Sequence, residues 1–106
     1  MDIADWRKLI DELDLKLVEL MNERARAAQA IGRLKRDTNL PIYEPAREKI
    51  IAENVSRANR GPLSDRDLLQ VYERLIDVMR KLQREEIQPP AKSDGGDTEL
   101  EAEVND

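Results

Sequence analysis

The chain has no cysteine, no histidine and no phenylalanine, and its 106 residues include one tryptophan and two tyrosines. Without thiol or imidazole there is no cysteine nucleophile, no Ser-His triad, no haem ligation and no ordinary zinc site. Chemistry has to run on arginine, lysine, glutamate, aspartate, glutamine and the backbone, with no metal or cofactor expected. So few aromatics, together with 39% charged residues, exclude a large monomeric core in so short a chain. One domain that gains burial from a partner chain is the expectation. No apolar run reaches membrane-spanning length, and Met1-Asp2-Ile3-Ala4-Asp5 lacks a basic segment followed by an apolar stretch. A soluble cytoplasmic protein with no membrane partner is expected.

The chain also lacks a basic surplus. Eighteen basic residues face 23 acidic ones, a net charge of −5. Residues 88–106 hold six acids (Asp94, Asp97, Glu99, Glu101, Glu103, Asp106) against Lys92 alone, so residues 1–87 are neutral. A neutral body argues against non-specific nucleic-acid binding. Pro89-Pro90 and Gly95-Gly96 punctuate the acidic segment, which has almost nothing apolar to bury. It reads as a disordered acidic tail on a domain of residues 1–87, serving solubility or docking to another protein.

What is present is helical periodicity. Ile3, Trp6, Ile10, Leu13, Leu17, Leu20, Ala27, Ile31 and Leu34 form an apolar seam at helical spacing, predicting one helix from Ile3 to Asp37. Asp2 and Asp5 at its start and Arg33, Lys35 and Arg36 at its end complement the helix dipole, and Asn39-Leu40-Pro41 stops it. At 1.5 Å per residue it is roughly 50 Å long, whereas a globule of this size has a radius of gyration of about 13 Å. It has to project beyond its own chain, and antiparallel pairing with a second copy in an intertwined homodimer covers the seam. A second helix is predicted over Pro45–Asn59, with Ile50, Ile51 and Val55 as apolar positions. A third opens at Ser64 as N-cap, with Asp67 three residues on, and runs to Ile87 over Leu68, Tyr72, Leu75, Ile76, Met79 and Leu82. The fold class is all-α, three helices with one very long N-terminal member.

Arg24 stands in the seam between Leu20 and Ala27. An unpaired guanidinium there is costly, so Arg24 either meets an anion, snorkels its stem over the seam, or sets the register of a coiled coil. Lys35, about three turns later, returns to nearly the same face; alone it reads as a charge complementing the helix C-terminus. Between them Ala27, Ala28 and Gly32 leave room against the helix, although close helix packing alone accounts for Gly32. Arg7 lies about 25 Å from Arg24 along the axis; it is either a solvated charge or, on an antiparallel partner, delivered to the other chain's Arg24. Arg47 opposes the dipole of the second helix, while Glu48 suits a helix start. Gln83 lies on or beside the buried face of the third helix.

Residues 3–84 resemble the all-helical type of chorismate mutase. The resemblance is carried by Trp6-Arg7-x-x-Ile10-Asp11-x-Leu13-Asp14-x-x-Leu17, by Leu20-Met21-Asn22-Glu23-Arg24, and by Ile31-Gly32-x-x-Lys35. It continues through Leu40-Pro41-Ile42-Tyr43-Glu44-Pro45-x-Arg47-Glu48, Gly61-Pro62-Leu63-Ser64 and Gln83. No single piece is decisive; the ordered set is specific.

The resemblance implies an intertwined homodimer with two equivalent sites that converts chorismate to prephenate by a Claisen rearrangement, on the shikimate route to phenylalanine and tyrosine. By matching position, Arg24, Arg47 and the partner chain's Arg7 would bind the carboxylates. Lys35 would contact a carboxylate and the ether oxygen, Gln83 would donate to the ether from the other side, and Glu48, with backbone near Glu44, would take the ring hydroxyl. Ile31, Ile51 and Ile76 would be apolar walls. Met79 departs from a small or hydroxyl residue common in the family. Two alternatives stand beside this reading: an isochorismate-pyruvate lyase of the same fold, and a non-catalytic helical dimerisation or regulatory module. A complex with another shikimate-pathway enzyme is a further expected partnership.

Overall fold

The computed structural model describes residues 1–88; the expected acidic tail and its docking role lie outside the described residues, Gln88 excepted. Three helices make up the fold, α1 (Ile3–Thr38), α2 (Pro45–Ala58) and α3 (Asp65–Ile87), and no strand occurs among the described residues. Each boundary falls within one residue of its sequence expectation, because each has a local chemical cause. At the start of α1, the Asp2 carboxylate accepts from Asp5 N–H at 2.9 Å and the Asp5 carboxylate accepts from Asp2 N–H at 3.1 Å, a reciprocal capping box. At its end Asn39 takes the left-handed conformation (φ 58°, ψ 34°), one that asparagine tolerates better than most residues. Pro45 occupies the first turn of α2, where its missing N–H costs nothing. Ser64 Oγ accepts from Asp67 N–H at 3.1 Å to open α3.

Both α1 and α2 pack on α3 and not on each other, so α3 is the spine of the chain. The radius of gyration is 16.9 Å and the longest extent 53 Å, set by the 36 residues of α1 at about 1.5 Å each. Only the C-terminal half of α1 meets α3. Its contact stripe is Ala28, Gly32 and Lys35, all buried, one residue out of phase with the apolar seam residues Ala27, Ile31 and Leu34. The stripe is small for a steric reason: a Cβ on Gly32 would come within 3.0 Å of Gln83 Cα, so close packing of α1 on α3 accounts for this glycine.

The seam itself is left uncovered. Ile3, Trp6, Ile10, Leu13, Leu17, Leu20, Ile31 and Leu34 are all exposed within the single chain. In α2, Ile51 and Val55 are half-buried as expected, but Ile50 is exposed, because among the described helices α2 packs on α3 alone and its third apolar position faces away from α3. The expected face of α3 is at least half-buried throughout, with Met79 the most enclosed at 6% exposure.

Candidate active site

An open cavity of about 350 Å³ lies where the C-terminal half of α1, the connection 39–44, the first turn of α2 and the last turns of α3 converge. Its size falls within the range of small-molecule sites. Arg24, Lys35, Glu44, Arg47, Glu48 and Gln83, six of the seven residues singled out in the sequence, line it together with Ile31, Ile51, Ile76 and Met79. Arg7 does not; it is exposed on the uncovered half of α1.

Lys35 is the buried charge of this site, its side chain only 8% exposed. Its three ammonium protons have three acceptors: Glu44 Oε1 at 2.6 Å, Ile42 O at 3.2 Å and Gln83 Oε1 at 3.4 Å. A buried ammonium needs such a set, since desolvation is repaid only by complete pairing. The three partners differ in exposure: Ile42 and Gln83 are half-buried, whereas the Glu44 side chain is 48% exposed. The sequence reading gave Glu44 a backbone role near a ring hydroxyl; the structure puts its carboxylate on Lys35.

Gln83 spends its carbonyl oxygen on Lys35, which leaves its NH2 group without a protein acceptor among the described residues. Arg24 is half-buried and Arg47 exposed, and among the described residues neither side chain forms an ion pair or hydrogen bond. Four cations (Arg24, Lys35, Arg47, Arg80) and two carboxylates (Glu44, Glu48) line the cavity, a balance of +2. The arrangement fits a dianion with an apolar body: cations for its charges, isoleucines for its apolar part, and an amide donor beside Lys35 with no acceptor among the described residues.

Arg80 was missed in the sequence. Its guanidinium donates to Glu48 Oε2 at 2.7 Å and to Asp77, and its carbon sits 5.4 Å from the centre of the Tyr43 ring. The signal was available: Ile76, Arg80 and Gln83 stand at helical spacing i, i+4, i+7 and so share one stripe of α3.

A family model described as chorismate mutase type II matches residues 6–84. This chain belongs to that family. A chorismate mutase of Methanocaldococcus jannaschii is 30% identical over 84 residues, covering 78% of this chain and 85% of that protein. A bifunctional chorismate mutase/prephenate dehydratase of Aquifex aeolicus is 34% identical over 87 residues, but the match covers only 24% of it. The chain thus spans about a quarter or less of the bifunctional relatives it matches. The solved structure of a chorismate mutase from Thermus thermophilus (form II) superposes with a TM-score of 0.76 at 29% identity, covering 77% of this chain and 93% of that one. Among the described helices none is long and apolar enough to cross a membrane.

Proposed function

We propose that the chain converts chorismate to prephenate, working as an intertwined homodimer with two equivalent sites. The observation that carries this reading is the cavity of net charge +2 in which, among the described residues, Arg24 and Arg47 have no protein anion and the NH2 of Gln83 no acceptor, next to a buried Lys35. Family membership supports it.

In chorismate one carboxylate is on the ring and the other on the enolpyruvyl arm joined through the ether. The rearrangement breaks the ether C–O bond as a new C–C bond forms between arm and ring, with no proton transferred and no covalent intermediate. Catalysis then consists of holding the arm over the ring and stabilising charge on the departing oxygen. Arg24 and Arg47 clamp the two carboxylates, and Arg7 of a second copy completes the clamp. Lys35, released from Glu44, faces a carboxylate and the ether oxygen, and Gln83 donates to the same oxygen. Glu48 accepts from the ring hydroxyl, while Ile31, Ile51 and Ile76 exclude water from the ring. The uncovered seam of α1 supports the dimer: exposed apolar surface of this extent marks an interaction face.

The test is turnover of chorismate by purified protein, followed by loss of its ultraviolet absorbance, with the product identified by chromatography. Prephenate without pyruvate is the expected result. Pyruvate released from isochorismate, with chorismate untouched, would replace this reading with the lyase. Inactivity on both would favour a non-catalytic module.

A further inference from the structure

We infer that Arg80 is a positioning residue for Glu48, fixing which carboxylate oxygen the bound substrate meets and where the ring hydroxyl is received. The inference rests on the assignment of Glu48 to that hydroxyl. Arg80 is anchored from three sides: Glu48 of α2, Asp77 of its own helix, and the Tyr43 ring in the connection between α1 and α2. A planar guanidinium with five donors suits this arrangement, since it can reach two carboxylates and lie against a ring at once. It takes Glu48 Oε2 at 2.7 Å and leaves Oε1 with no protein donor among the described residues, so Oε1 is the acceptor offered to a ligand.

The same pair also forms a partition. Arg80, Glu48, Ile51 and Ile76 border both the cavity described above and a neighbouring one of about 480 Å³ between α2 and α3. Removing the guanidinium frees Glu48 to turn into the second cavity, away from the substrate. Chorismate and isochorismate differ in where the ring carries its hydroxyl, so a fixed Oε1 favours one isomer.

The experiment is a double-mutant cycle on the full chain with chorismate as substrate. Arg80→Met keeps the volume and removes the donors; it is expected to lower kcat/KM roughly ten- to a hundredfold. The loss should appear mainly in KM, because a hydroxyl contact is present in ground and transition state alike. In a Glu48→Ala background the same substitution should cost less than about twofold. Arg80→Lys, which keeps a cation on the stem, should recover part of the loss, and it carries the cycle if Arg80→Met does not fold. An NMR shift of the Glu48 carboxyl carbon between wild type and Arg80→Met, without substrate, reports the pair independently of turnover. Equal losses in both backgrounds would overturn the inference while leaving the chorismate assignment intact. Full activity in Glu48→Ala alone would instead overturn the assignment of Glu48, and the inference with it.

Discussion

The two halves of α1 belong to one uninterrupted helix, yet they live in different surroundings. From Arg24 to Lys35 the helix packs on α3 through Ala28 and Gly32 and carries two cations of the cavity. From Ile3 to Leu20 it has no neighbour among the described residues of its own chain and exposes Trp6, Ile10, Leu13 and Leu17. The difference lies in side-chain size. Small residues let α3 approach the C-terminal half, and large ones are left exposed in the N-terminal half. In the proposed dimer one antiparallel contact would both cover the exposed half and bring Arg7 of a second copy to the site.

The largest effect is expected in the packed half. Arg24→Ala should reduce kcat/KM at least about a thousandfold, because it removes a carboxylate ligand in a partly dehydrated site, while sedimentation still shows a dimer. Arg7→Ala, in the uncovered half, should cost about a hundredfold or more. Mixing the two variants tests whether one site draws on both chains. If Arg7 is delivered across the interface, a mixed dimer has one site with both arginines, and random pairing restores about a quarter of wild-type activity. If each site draws both arginines from one chain, mixing restores nothing, and the shared-site model fails.

Next in size is the seam. Leu13→Glu buries a carboxylate against an apolar partner face, and it should dissociate the dimer at micromolar concentration and lower the helical circular dichroism. An unsupported stretch of this length is only marginally helical in water, so the N-terminal half should melt when its partner leaves. A dimer that survives this change with full activity would show that the seam is not the interface. Gly32→Ala tests the other half. With Gln83 Cα only 3.0 Å from the added Cβ, α3 has to move, and a loss of about 1–3 kcal/mol in stability is expected from thermal or denaturant unfolding.

Helix boundaries were legible because each is signalled by residues adjacent in sequence: Asp2 with Asp5, Asn39 with Pro41, and Ser64 with Asp67. The shared face of Arg24 and Lys35 was legible from helical spacing alone. Less visible was anything that depends on which helix meets which. Spacing showed the apolar seam but not that α1 packs on α3 along a stripe one residue away, since small residues give no hydrophobic signal. Nor could it show that Glu44 turns its carboxylate to Lys35, nine residues distant across a helix end. Arg80 was not singled out, since only the approach of α2 brings Glu48 to it.

The smallest predicted effect separates the halves most cleanly. Asp2→Ala removes one side of the capping box, a change that costs about 1 kcal/mol of local helix stability. Among the described residues the first turns of α1 pack on no other part of their own chain, so the loss stays at the helix end. Amide exchange should therefore quicken in the first two turns only, leaving the amides around Ala28 and Gly32 protected as before. Arg7 lies within the frayed segment, so chorismate KM should rise a few-fold with kcat nearly unchanged, because a looser arginine weakens binding in ground and transition states alike. Faster exchange reaching Lys35 would mean that the two halves of α1 unfold as one unit, and the division drawn between them would not hold.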